Sequence, residues 1–364
     1  MSTPSARAVL DQLLALPREA GTPAAEEARR LLAARLTSLG YHVSVEPFAF
    51  ATAPLESLRL AGAGVLTFTL AALPLLAFPG APAGAALAVW LGGLLMSGAA
   101  TWGVGFGMVT LGRPPRTDAN LVARRGDARV TRWLVAHVDT KAQGHSMAGR
   151  LVAVWVLLLA IGMMTAAAIG RWGLARPLPP AALAGCAALA VAAAGLTARG
   201  RLRGTSPGAR DNGSGLLAVL VAAETAPPTT GILLTGAEEF GLAGASAFVA
   251  QHRDELTGAD VVNVDTLDDA GTLVIVAHDR RGRALAGREL ARLGGLVPAS
   301  RVRGLPLGIL VDSLPFSRAG VPAVTVARLT WATLRRMHTP RDAAGGLEFT
   351  TATAVGRALG AAPN

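Results

Sequence analysis

Gly231-Ile232-Leu233-Leu234-Thr235-Gly236-Ala237-Glu238-Glu239-Phe240-Gly241 runs from an apolar strand straight into two carboxylates. The run Gly231–Thr235 (GILLT) does not alternate between apolar and polar. It therefore reads as a strand covered on both faces, the habit of strands in parallel sheets. Two adjacent acids where a buried strand ends are costly unless they are exposed or hold a cation. Open α/β sheets place their sites at such ends. An acidic surface turn is the competing reading of this stretch taken alone.

The same pattern recurs along the chain. Arg132–His137 (RWLVAH) and Asp260–Asp265 (DVVNVD) are short apolar strands that end on a His and an Asp. His42–Phe50, Thr272–Ala277 and Ala323–Ala327 complete the expected strands. Helices are expected over 24–40, 215–224, 245–252, 283–293 and 348–359, the first closed by Gly40. Strands alternating with helices predict an α/β fold, with a mixed, mostly parallel sheet sandwiched by helices.

Four further places carry side chains suited to chemistry. In Ala136-His137-Val138-Asp139 the His and Asp are two apart, so on extended backbone they point the same way. A satisfied core pair is the plainer meaning of that spacing. Gly208-Ala209-Arg210-Asp211-Asn212-Gly213-Ser214-Gly215 is a Gly-rich turn ahead of an apolar helix. Asp211 and Asn212 fit helix caps there, and a phosphate cradle is disfavoured because no P-loop Lys follows. Asp265 ends its strand, and Met337-His338-Thr339-Pro340 puts a His in a polar loop. Singly, each reads as an ordinary polar residue. Jointly, two His and three or four carboxylates form an N/O donor set suited to zinc or a similar divalent ion.

The bulk composition points to a bilayer. The chain has 364 residues, 51% of them hydrophobic and only 16% charged. Leu60–Gly112 contains no Asp, Glu, Lys or Arg over 53 residues, enough for two spans of about 20 residues each. Phe78-Pro79-Gly80-Ala81-Pro82 supplies the turn between them. Leu151–Gly170 and Leu178–Ala198 are two more uncharged blocks. The expected organisation is therefore a hydrophilic segment over 1–57, a transmembrane hairpin over 58–112, a hydrophilic segment over 113–150, a second hairpin over 151–198 and a long hydrophilic segment over 199–364. Each hairpin returns the chain to the side it left, so all hydrophilic segments share one side. Arg59, Arg113, Arg116, Arg150, Arg199, Arg201 and Arg203 flank the spans on that side, against Arg171 and Arg176 on the other. The positive-inside rule then predicts a multi-pass protein of the cell membrane with its hydrophilic segments in the cytoplasm. Residues 1–56 are charged throughout and lack the apolar core of a signal peptide.

The net charge of +10 is not read as a nucleic-acid footprint. No basic block is interleaved with aromatics, and Tyr41 is the one Tyr available for stacking. Lys141 is the sole Lys among 34 basic residues. The lone Cys186 excludes an intrachain disulfide and a Cys-based zinc cage.

Taken in order, AHVDT, GARDNGSG, GAEEFGLAGASAF, NVD and MHTPRD resemble the M28 family of co-catalytic zinc aminopeptidases. The likeness extends to the opening helix and strand, and to Asp312-Ser313-Leu314-Pro315-Phe316 followed by Gly320-Val321-Pro322. It implies two zinc ions bridged by Asp211. His137 and Asp265 would complete one site, and Glu239 and His338 the other. Asp139 would orient His137, and Glu238 would be the general base. It also implies a cis peptide at Asp211–Asn212 and a peptide as substrate. Two departures stand out. Several relatives use a late Tyr as an electrophilic helper, whereas Tyr41 lies far from that motif. Asp211 follows His137 by 74 positions, because the second hairpin lies between them. Chain length from Asp139 and Asp211 to that hairpin holds the site within roughly 40 Å of a bilayer face, which suits a membrane-proximal peptide. The competing functions are a zinc transferase similar to glutaminyl cyclases, which share the fold but work with one metal, and a non-catalytic receptor or scaffold on a peptidase-like fold.

Overall fold

Side chains from Arg132–His137 alternate between two apolar layers, and the rest of the unit that bears the donor residues is arranged around that strand. In this computed structural model, which describes residues 5–105, 108–109, 111–112 and 114–361, the elements follow one another as α1 (Ala6–Leu14), α2 (Pro23–Ser38), β1 (His42–Phe50), α3 (Ser57–Ala77), α4 (Ala85–Gly105), β2 (Arg116–Arg124), β3 (Arg132–His137), α5 (Met147–Leu174), α6 (Pro180–Ala198), α7 (Gly215–Thr225), β4 (Thr230–Thr235), α8 (Ala243–Gln251), β5 (Asp260–Leu267), β6 (Thr272–Ala277), α9 (Arg280–Leu293), β7 (Ser300–Arg303), α10 (Ser313–Arg318), β8 (Ala323–Leu329), α11 (Trp331–Leu334) and α12 (Thr350–Gly360). Arg113, one of the flanking arginines, lies outside the described residues, as do residues 1–4 and 362–364 of the outer hydrophilic segments. The chain divides into two units. One is Met1–Phe50, Pro115–Ala142 and Gly204–Asn364; the other is Ala51–Pro114 and Gln143–Arg203.

The first unit holds one eight-stranded sheet in the order β1-β2-β4-β3-β5-β8-β6-β7. Its middle strands β4, β3, β5 and β8 run parallel. Trp133 and Val135 pack on one face with Leu233, Val261, Phe248 of α8 and Phe316 of α10. Leu134 and Ala136 pack on the other with Ile232, Leu234, Val264 and Leu216 of α7. Two-sided burial is why these strands read as continuous apolar runs, each buried Val, Leu or Ile contributing about 1.5–3 kcal/mol.

The expected strands and helices are present, with ends shifted by a few residues. Strand β2 was not expected. Asp118 and Asn120 interrupt its apolar pattern, yet both are buried: Asp118 pairs with Arg29 of α2, and Asn120 Nδ2 donates to the Gly244 carbonyl at 2.9 Å. The α1 helix and the short polar edge strand β7 were also not foreseen.

Helix α12 begins without a cap of its own, since Phe349 stands at its N-cap with φ 60°. Asp269, from the turn after β5, supplies the missing acceptors. It takes the Glu348, Phe349 and Thr351 backbone N–H groups at 2.8–2.9 Å and the Thr350 hydroxyl at 2.7 Å. Partial burial opposes ionisation of Asp269, but these donors outweigh it and lower its pKa. The cap is therefore fully present above the ordinary carboxyl range and is lost as pH falls through the lowered value. Asp269→Ala is expected to lower the unfolding free energy by about 1–2 kcal/mol at neutral pH, measured by thermal or denaturant unfolding; an unchanged midpoint would contradict the assignment.

The second unit consists of α3–α6, each long and apolar enough to cross a membrane. They share a core of Val65, Ala72, Leu76, Trp90, Leu157, Met164, Cys186 and Ala190. Gly62 against Thr197 and Gly93 against Phe68 leave no room for a Cβ, the close approach that small residues allow between apolar helices. Trp90 Nε1 donates to Thr165 Oγ1 at 2.9 Å, and buried Arg171 donates to the Ala81 carbonyl at 2.8 Å. Large apolar side chains also point outward, among them Leu95, Met96, Trp155, Leu159 and Trp172. Only 22–28% of each helix's apolar window is buried, so this bundle is apolar outside as well as inside.

Candidate metal centre

Three parallel strands and their exits carry His137, Glu238, Glu239 and Asp265, while Asp211 and His338 come from the turn before α7 and the loop after α11. His137 is the last residue of β3 and lies opposite Thr235, the last residue of β4. Two residues on from the Val135–Asn263 pairing brings Asp265 alongside on β5. The β5–β8 register shifts between Val264 and Leu267, and Thr266 has φ 60°. Such an irregularity re-aims the side chain that precedes it. Glu238 and Glu239 open the turn after β4, preceded by Ala237 at φ 51°; His338 itself has φ 61°. Left-handed backbone at non-glycine residues is strained and is held by its surroundings, a pattern common where side chains must be aimed.

Asp211 sits in the turn before α7. The Asp211–Asn212 peptide is cis, as the resemblance implied. Asn212 does serve as a cap: its Oδ1 accepts from Gly215 N and Thr266 N, while its Nδ2 donates to the Val264 carbonyl. Asp211 is left pointing at two imidazoles. Its Oδ1 is 3.1 Å from His137 Nε2, and its Oδ2 is 3.1 Å from His338 Nε2. His137 Nε2 also lies 3.8 Å from Asp265 Oδ1, and His338 Nε2 lies 3.3 Å from Glu239 Oε1. The donors thus gather as two buried groups, His137–Asp211–Asp265 and Asp211–Glu239–His338, with Asp211 common to both.

These residues have the donor chemistry to hold divalent cations. His137 Nδ1 lies 3.0 Å from the Asp139 carbonyl, which turns the Nε2 lone pair toward the carboxylates. Buried His137 Nε2 and Glu239 Oε1 have no hydrogen-bond partner among the described residues; the 3.1 Å approach of Asp211 to His137 is close but misaligned. Burial opposes a charge on His137, yet Glu238, Asp139, Asp211 and Asp265 together raise its pKa well above the ordinary imidazole value. Burial also opposes charge on Asp211 and Glu239, but the flanking His residues, with Lys141 for Glu239, hold both carboxyls down, Glu239 at about 2. Such a pocket calls for positive charge, and a cation can take the place of protons there. Glu238 differs. Burial and the charges of Glu239, Asp312 and Asp265 outweigh His137 and raise its pKa well above the carboxylate range.

A buried frame holds the donors. The Asp139 carboxylate accepts Glu238 N at 3.0 Å and Glu239 N at 3.1 Å; its Oδ1 is 3.7 Å from His137 Nδ1. Asp342 accepts the Arg210 and Asp211 backbone N–H groups at 3.0 and 3.1 Å. Fully buried Arg18 donates to the carbonyls of Leu13, Val138, Pro207 and Gly208, tying the exit of β3 to the turn that bears Asp211. Asp312 accepts from Thr235 Oγ1 at 2.5 Å, and burial raises its pKa to about 7. Sequence reasoning did not find Arg18 or the roles of Asp312 and Asp342, and it gave Lys141 no place in the site. Tyr41 is packed elsewhere, its hydroxyl donating to the Ala223 carbonyl at 3.2 Å.

Comparison with known proteins bears on the fold and on one segment of the chain. The model of Peptidase family M28 matches residues 195–362, a segment that holds Asp211, Glu238, Glu239, Asp265 and His338. Among solved structures, the chain is similar to an aminopeptidase from Aneurinibacillus sp. strain AM-1, at 15% identity and TM-score 0.53, covering 96% of this chain and 91% of that one. A glutaminyl cyclase from Fimbriiglobus ruber aligns at 16% identity and TM-score 0.56, covering 98% and 93%. A zinc aminopeptidase from Bacillus subtilis aligns at 14% identity and TM-score 0.53, covering 98% and 94%. A search of curated proteins finds no match. At these identities the structural likeness is one of fold, and the segment 195–362 carries the M28 match.

Proposed function

We propose that the chain is a membrane-integrated, zinc-dependent aminopeptidase of M28 type that hydrolyses N-terminal peptide bonds. The observation that carries this reading is the pair of buried donor groups meeting at Asp211, with Glu238 beside them. His137 and Asp265 would hold one ion, Glu239 and His338 the other, and Asp211 both. Two divalent cations held there would acidify water and polarise the scissile carbonyl. Glu238, beside both donor groups but in neither, takes a proton from the attacking water and delivers it to the leaving amine. Asp139 positions this base by accepting its backbone N–H, and positions His137 through its carbonyl. The cluster of carboxylates favours a free α-amine on the substrate, which supports exopeptidase selectivity.

The fold alone does not separate an aminopeptidase from a glutaminyl cyclase, since both are among its structural neighbours. The complete second donor group favours two ions, and hence hydrolysis. Full-length protein in detergent is expected to release N-terminal residues from peptides, to lose this activity to a chelator and to regain it with zinc. Pyroglutamate formation with about one ion per chain would point to the transferase instead.

Membrane integration rests on α3–α6, and the arginine asymmetry supports a cytoplasmic peptidase unit. Its partners would be the lipid bilayer and a membrane-proximal peptide. The full chain is expected to stay with the membrane pellet through alkaline carbonate washing and to leave it only with detergent. Release into the carbonate supernatant would contradict integration.

A further inference from the structure

Thirty-three of the 34 basic residues are Arg, and the single Lys of the chain lies inside the candidate site. Lys141 is buried, two residues beyond Asp139, and its Nζ is 2.5 Å from Glu239 Oε2. The other oxygen of the same carboxylate, Oε1, faces His338 Nε2 at 3.3 Å and has no hydrogen-bond partner among the described residues. An ammonium engages one carboxylate oxygen and leaves the second free. A guanidinium fork tends to engage both. Lys is thus the basic residue that can neutralise Glu239 without withdrawing it from the donor group. The other group, His137–Asp211–Asp265, has no Lys or Arg paired with Asp265 among the described residues; its ion-pair contact is with His137.

We propose that Lys141 makes the two ion sites unequal, lowering the affinity of the Asp211–Glu239–His338 group for a divalent cation. A fixed positive charge sits against one of its three donors, in a dry site where like charges a few ångströms apart repel strongly. The ion on His137, Asp211 and Asp265 is then the resident one. The ion on Glu239 and His338 exchanges, so the occupancy of that second site, and with it the activity, follows the free metal concentration. This inference rests on the functional reading above.

The test is zinc binding to metal-stripped, full-length protein in detergent, measured against a chromophoric chelator, with bound metal counted after dialysis. Wild type is expected to bind two ions, the second at least about ten-fold more weakly. His338→Ala removes the weak step and so identifies it. Lys141→Met and Lys141→Gln, which remove the charge at similar length, are expected to tighten the weak step by about ten-fold or more, equivalent to about 1.4 kcal/mol, and to leave the strong step within a few-fold. Lys141→Arg, which keeps the charge, does not tighten it. Two ions bound with constants unchanged in the Met and Gln variants, or a weak step that loosens further in them, would overturn the inference alone. Tightening by Arg equal to that by Met would overturn it as well, by assigning the effect to shape. A chain that binds no zinc would overturn the functional reading, and this inference with it.

Discussion

Glu238→Gln is expected to leave bound metal unchanged while lowering kcat by about 10²–10⁴-fold, the range usual for loss of a general base. Gln keeps the shape of Glu238 and the backbone N–H that Asp139 accepts. It loses only the capacity to take a proton. KM should change little, because the substrate contacts and the donor groups remain. Metal content and kcat measured on the same preparation test this together. Equal turnover in both proteins would remove Glu238 from the role of base, and a parallel loss of metal would make it a ligand.

Asp211→Asn should have a larger effect on the metal than any other single substitution. Asp211 is the one residue whose two oxygens face both imidazoles. An amide presents only one oxygen and carries no charge, so both donor groups are damaged at once. Removing an outer partner of a ligand typically costs 10–100-fold in affinity or activity; loss of the shared donor is expected to exceed that and lower kcat/KM by at least about 10³-fold. Asp342 accepts the backbone N–H groups of Arg210 and Asp211 rather than facing the imidazoles, so Asp342→Asn should stay within the 10–100-fold range. Metal binding by Asp211→Asn equal to wild type would contradict the shared-donor geometry.

How far the sequence could be read depended on how local each signal was. Strands β3, β4 and β5 were legible because two-faced burial leaves short, mostly apolar runs, broken only by Asn263 in β5, that lead to His137, to the turn of Glu238 and Glu239, and to Asp265. Strand β2 was not, because Asp118 and Asn120 look like loop residues until Arg29 and Gly244 are brought to them by folding. The donor residues were legible as a set through the order of their motifs. Their frame was not. Arg18 acts through four carbonyls, three of them more than a hundred positions away. Asp269 caps a helix that starts some eighty residues later. Lys141 stood out only as a compositional oddity, and its meaning depends on an oxygen of Glu239. The four long apolar helices were the easiest to read, since length and absence of charge define them.

The most direct measurement is mass-spectrometric analysis of an N-terminally degenerate peptide library, Gln-initiated members included, after incubation with zinc-loaded, full-length protein. Peptides shortened by one residue at the N-terminus, together with free amino acids, are the expected products. Gln-initiated peptides that keep their length and lose ammonia, or a library returned unchanged, would contradict the aminopeptidase reading.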